Sequence, residues 1–199
     1  MTGSSGPDSR TITVVSGLPR SGTSLMMQML AAGGMPVLTD DVRQADESNP
    51  RGYFEYDPVR WLHRDASWIG DSRGKAVKIV SPLLRFLPEG EDYRVVVVRR
   101  ELEQVLCSQA AMLGEAVAPD NDLRAAYAAH LPQVEAFLAT RNIPTMYVDH
   151  GALMAQPRTV AEQVIAFLGV QLDPAAMASA VDPNLYRQRR VGLGPPPDA

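Results

Sequence analysis

The sequence predicts an α/β domain of three layers built around a mostly parallel central sheet. Two β-branched runs, Thr11–Ser16 (TITVVS) and Tyr93–Val98 (YRVVVV), are apolar enough to be buried on both faces. Between such runs apolar residues return at helical spacing, so strands alternate with helices. The first strand also passes straight into a glycine-punctuated loop and then a helix.

Taken in order, the first strand ends at Gly17. Leu25, Met26, Met29 and Leu30 then mark a helix that Gly33-Gly34 stops. Thr39–Tyr56 is polar and Pro/Gly-punctuated and reads as a long loop. A helix over Pro58–Trp68 is expected, with Asp57 as its cap and proline in its first turn. Ala76–Val80 is a short strand, and Tyr93–Val98 is followed by a helix through Leu102, Val105, Leu106, Met112 and Leu113. A second helical stretch, Asn121–Thr140, is expected to bend or break near Pro132. Ile143–Val148 is a strand, and Val160–Leu168 a helix ended by Gly169. Ligands of such sheets sit outside the carboxyl ends of the strands.

The chain has 199 residues, 45% hydrophobic and 21% charged, with a net charge of −4. That suits one domain with a single core and excludes wholesale disorder. It also excludes a global basic field, so neither nucleic acid nor an anionic membrane is an expected partner. Residues 1–10 read as a flexible lead-in, 11–190 as the domain and 191–199 as a Pro/Gly tail. The one cysteine, Cys107, rules out an internal disulfide and a cysteine-only metal cage. No apolar run approaches the roughly 20 residues of a membrane span. The N-terminal MTGSSGPDSR has no apolar core that would make it a signal or anchor. A cytoplasmic location is expected, and a homodimer is compatible with the composition.

Gly17-Leu-Pro-Arg-Ser-Gly22-Thr23-Ser24 lies between the first strand and first helix. Small residues there let backbone N–H groups curl around a phosphate at a helix N-terminus. The spacing satisfies G-x4-G, but Thr23 stands where a Walker loop carries lysine. Arg20 offers a cation from within the loop instead.

The stretch VVSGLPRSGTSLMMQML resembles the 5′-phosphosulfate-binding loop of sulfotransferases that use 3′-phosphoadenosine-5′-phosphosulfate (PAPS). Its PRSGT wording is closer to the tyrosylprotein and bacterial members than to the cytosolic ones. The resemblance implies a P-loop-like fold in which Arg20, Ser21, Gly22, Thr23 and Ser24 hold the 5′-phosphate and sulfonate. The family's second motif sets an arginine at a strand end and a serine eight residues later; in YRVVVVRRELEQVLCSQ these are Arg100 and Ser108. Both are expected on the 3′-phosphate of PAPS or of its product 3′,5′-ADP. TMYVDHGALMAQP resembles the strand that brings a tyrosine near the adenine, which makes Tyr147 the matching residue. NPRGYFEYDPV resembles a segment common in bacterial members. The C-terminal Arg-Lys-Gly clamp of the cytosolic enzymes is absent; Arg187, Arg189 and Arg190 are candidates to replace it.

Sulfuryl transfer needs cations aimed at the leaving phosphate. Only Lys75 and Lys78 are lysines, and Lys78 matches the family's lysine on the neighbouring strand. With Arg20 it is the expected stabiliser of that charge. The cytosolic enzymes place a histidine base two residues further, where this chain has Val80. His63, His130 and His150 lie off the motif and read as helix-surface or loop residues. The base is therefore expected among the carboxylates: Asp40 and Asp41, where tyrosylprotein-type enzymes carry a glutamate, or Glu55, favoured because Tyr53, Phe54 and Tyr56 imply partial burial and a raised pKa. No metal is expected.

The reading is a PAPS-dependent sulfotransferase acting on a small-molecule, carbohydrate or lipid hydroxyl, or on an amine. Two alternatives remain: a small kinase with a degenerate Walker loop, and a non-catalytic nucleotide-binding protein of the same fold.

Overall fold

The computed structural model describes residues 10–40, 42–46, 49, 51–113 and 121–182. The expected lead-in and tail, Asp41, and Arg187, Arg189 and Arg190 lie outside those residues, Arg10 excepted. Four parallel strands form the central sheet: β1 (Ile12–Gly17), β2 (Ala76–Lys78), β3 (Tyr93–Arg99) and β4 (Thr145–Asp149), in the order β2-β1-β3-β4. The helices are α1 (Thr23–Ala32), α2 (Leu102–Leu113), α3 (Asn121–Thr140), α4 (His150–Ala155), α5 (Pro157–Leu168) and α6 (Pro174–Ser179).

The continuous apolar strands feed two cores because alternate side chains point to opposite faces. Val15, Val96 and Val98 pack on one face with Met26, Met27 and Leu30 of α1, Leu153 of α4, Val164 and Leu168 of α5 and Met177 of α6. Ile12, Val14, Val95 and Val97 pack on the other with Leu138 of α3, Leu84 and Trp68. The result is the three-layer, P-loop-like α/β fold that the sequence predicts. No helix among the described residues is long and apolar enough to cross a membrane.

Several elements differ in detail. Pro58–Trp68 is not one helix but two 3₁₀ helices, Asp57–Trp61 and Ser67–Ser72. Asp65 separates them, because its carboxylate accepts the Ser67 backbone N–H at 2.9 Å and so competes with helical bonding. Ala76–Val80 is shortened to Ala76–Lys78, and a 3₁₀ helix, Ser81–Phe86, follows it with Pro82 in its first turn. The strand expected from Ile143 begins at Thr145, since Pro144 has no N–H for the ladder. Helix α3 runs through Pro132 without interruption. Helices α4 and α6 are additional; each is a short segment capped by an aspartate, Asp149 and Asp173 respectively.

Candidate active site

The carboxyl ends of all four described strands meet at one cleft of about 460 Å³. The loop after β1 leads into it, Lys78 is the last residue of β2, and Arg100 follows β3. His150 follows β4.

Two glycines set the shape of the first loop. Gly17 has φ +152, and a Cβ there would lie 2.6 Å from the Val98 carbonyl oxygen and closer still to Ser21 Oγ. Gly22 has φ +107, and its Cβ would fall 2.6 Å from His150 Cδ2. Both positions therefore exclude side chains, as a loop that brings backbone close to a phosphate requires. Arg20 sits between them at φ 67, a left-handed conformation that a non-glycine residue adopts at a cost. Gly22 gives α1 no side-chain cap, and the first turn of the helix, Thr23, Ser24 and Leu25, borders the cleft.

The structure brings Arg20, Arg100 and Ser108 together. Arg20 Nε donates to Ser108 Oγ at 3.1 Å, and Arg100 Nη1 donates to the Arg20 carbonyl oxygen at 3.1 Å. Arg100 Nε is oriented by Gln104 Oε1 at 3.1 Å. Arg20, read from the sequence as acting beside Lys78, thus extends toward α2 and the second motif. Thr23 and Ser24 line the cleft, while Ser21 is buried beneath the loop, its hydroxyl making no hydrogen bond among the described residues.

On the opposite side Lys78 is buried and reaches back into the loop of residues 39–56. Its ammonium donates to Glu55 Oε1 at 3.1 Å, to Ser24 Oγ at 3.4 Å and to the Tyr53 carbonyl oxygen. Burial pulls the lysine below the usual amine range, and Glu55 opposes that shift. Arg43 Nη1 reaches the same Glu55 Oε1 at 3.0 Å. Glu55 Oε2 takes no part in either contact. The aromatic shell expected around Glu55 has other partners. Tyr53 bonds both oxygens of Asp46 at 2.8 Å, and Tyr56 meets Trp68 edge-on at 5.3 Å.

The remaining candidates separate clearly. Asp40 has a loop-building role: its carboxylate accepts the backbone N–H groups of Val42 and Asp57 at 3.1 and 2.6 Å, and it does not line the cleft. Tyr147 also lies outside the cleft, 38% exposed, with the Arg99 guanidinium 3.7 Å from its ring centre. His150 corrects the expectation of a surface or loop residue: it is 6% exposed and lines the cleft against Gly22, because α4 turns inward immediately after β4. Burial, reinforced by the Arg100 charge, lowers its pKa to about 4. His130 is half-buried on α3 beside Ser81 Oγ at 3.0 Å, and His63 is exposed between Trp61 and Phe86. The sequence reading did not single out His150, Arg43 or Gln109 as cleft residues. The rule that ligands sit at strand carboxyl ends was the available signal for His150; nothing local marked Arg43.

No family model matches this chain, and no curated protein matches it at a significant level. Among solved structures it resembles the sulfotransferase domain of the Synechococcus PCC 7002 olefin synthase, with a TM-score of 0.57 at 15% identity over 98% of this chain and 90% of that one. The sulfotransferase domain of the curacin biosynthetic pathway gives 0.51 at 15% identity over 92% and 93%. A sugar kinase from Janibacter sp. HTCC2649 gives 0.42 at 16% identity over 84% and 98%, a score that says nothing about this chain. At these identities the first two likenesses establish the fold that the chain shares with sulfotransferase domains.

Proposed function

We propose that the chain is a PAPS-dependent sulfotransferase with Glu55 as its general base. The observation that carries the reading is the arrangement of the two poles of the cleft: Arg20, Arg100 and Ser108 gathered at one, and the buried Lys78 with Glu55 at the other. The uncapped start of α1 and the side-chain-free Gly17 and Gly22 fit a phosphosulfate between them. When bound, PAPS supplies the sulfuryl group, and the electron pair of the broken sulfur–oxygen bond stays on its 5′-phosphate.

The chain's residues divide the remaining work. Arg100 and Ser108 would hold the 3′-phosphate, beside the Arg20 guanidinium that donates to Ser108. Thr23, Ser24 and the first N–H groups of α1 hold the 5′ end. Lys78 faces the charge that grows on the leaving oxygen, in a buried setting where such a contact is strong. Glu55 keeps Oε1 on Lys78, and Oε2 takes the proton of the acceptor hydroxyl. His150, neutral at physiological pH, packs against Gly22 and holds the loop in place.

Calorimetry with 3′,5′-ADP and 5′-AMP tests this reading. Tighter binding of 3′,5′-ADP by about tenfold to a hundredfold is expected from the extra charge-assisted contacts. Equal affinities would remove it.

A further inference from the structure

A second recess of about 450 Å³ adjoins the cleft, and Arg43 and Tyr53 line both spaces. Arg43 and Arg51 supply its charge, Gln44 and Gly52 contribute to its walls, and among the described residues no carboxylate lines it. We propose that this recess is the acceptor subsite, and that it selects acceptors bearing an anionic group, a carboxylate, phosphate or sulfate, beside the hydroxyl to be modified. The proposal rests on the sulfotransferase reading above.

The recess is built rather than incidental. Arg43 Cζ lies over the Tyr53 ring, 3.5 Å from its centre, and Tyr53 is itself buried and held by Asp46. Gly52 at φ +87 and Phe54 at φ 52 turn the backbone around it, and the second is a strained conformation for a bulky side chain. Phe54 is pinned there by packing against the core on the α1 side of the sheet. Each guanidinium has an acidic partner, Arg43 with Glu55 at 3.0 Å and Arg51 with Asp182 at 3.3 Å. Those side chains are between 29% and 43% exposed, a setting in which ion pairs are weak and an incoming anion competes. A guanidinium has five donors in a planar fork that suits a carboxylate or phosphate. An anion held by Arg43 and Arg51 projects the rest of the acceptor past Tyr53 toward Glu55. An anion that takes Arg43 also relieves Glu55 of one of its two cations.

Inorganic sulfate is the probe, titrated by calorimetry with the nucleotide site saturated by 3′,5′-ADP and again without nucleotide. With 3′,5′-ADP bound, saturable sulfate binding is expected and is weakened about tenfold or more in Arg51→Gln; without nucleotide, the loop of residues 17–24 adds a second sulfate site that Arg51→Gln leaves unchanged. Asp182→Asn removes the competing carboxylate and should leave binding equal or tighter. 4-Hydroxybenzoate should displace the sulfate, and 4-hydroxybenzamide, of the same size, should not. With 3′,5′-ADP bound, no saturable binding, equal binding by Arg51→Gln, or equal behaviour of the two phenols overturns the proposal. So does weakening by Asp182→Asn as large as that by Arg51→Gln, which would make the pair a structural strap. If 3′,5′-ADP retains its preference over 5′-AMP while any of these occurs, only the acceptor assignment falls. If that preference is absent, the assignment falls with the reading it rests on, even where Arg51-dependent sulfate binding persists.

Discussion

Lys78 Nζ and Glu55 Oε1 lie 3.1 Å apart, joining the end of β2 to the loop of residues 39–56 at one side of the cleft. The lysine side chain is 5% exposed and the glutamate 37%, so the pair sits at a boundary between core and solvent. One partner is placed to stabilise charge, the other to exchange a proton.

Lys78→Met tests the first role. Turnover should fall about 10²–10³-fold, as when one preorganised electrostatic contact is removed, while 3′,5′-ADP affinity changes little. Steady-state kinetics together with calorimetry separates the two effects. Near-normal turnover would leave Lys78 as a structural cation.

Glu55→Gln and Asp40→Ala form a contrasting pair. Glu55→Gln should keep nucleotide binding and lose transfer by roughly 10²–10⁴-fold. Asp40→Ala removes two hydrogen bonds to backbone N–H groups and should cost about 1–3 kcal/mol of stability, with transfer preserved in the folded fraction. Denaturant titrations and single-turnover rates read these out. The opposite pattern would place the base in the earlier part of the loop.

Gly22→Ala should weaken both the fold and 3′,5′-ADP binding. The new methyl meets His150 and also inherits φ +107, a penalty of about 1–3 kcal/mol. Combining it with His150→Ala relieves the contact but not the backbone strain, so restoration should be partial. Full recovery in the double variant would show that only the contact mattered.

The buried His150 should make stability depend on pH. Its folded pKa of about 4 lies below the unfolded value near 6.5, so the unfolded chain binds more protons between those limits. This contribution is complete above about pH 6.5 and is lost as the pH falls toward about 4. The full span amounts to about 3 kcal/mol, from a depression of 6.5 to about 4. Denaturant stability of the parent and of His150→Gln, compared from pH 7 to pH 4, should converge or cross by about that amount. Parallel curves would mean that the imidazole protonates without disturbing the fold.

Much of the fold is legible along the chain because its determinants are local. The two-faced apolar runs of β1 and β3 specify buried parallel strands, and Gly17 and Gly22 mark the turn that follows β1. The Arg100–Ser108 spacing places both residues beside one loop, since α2 starts directly after β3. What tertiary structure decided is how distant segments meet. Register pairs Tyr147 with Val97 and leaves its ring outside the cleft beneath Arg99, while the next turn carries His150 against Gly22. Asp40 and Glu55 share one acidic, polar loop in sequence, yet backbone N–H groups engage the first and Lys78 and Arg43 the second. Periodicity and turn chemistry are written in neighbouring residues, but which carboxylate meets which cation depends on packing between loops and strand ends. That packing made Glu55, Lys78, Arg43 and His150 parts of one cleft.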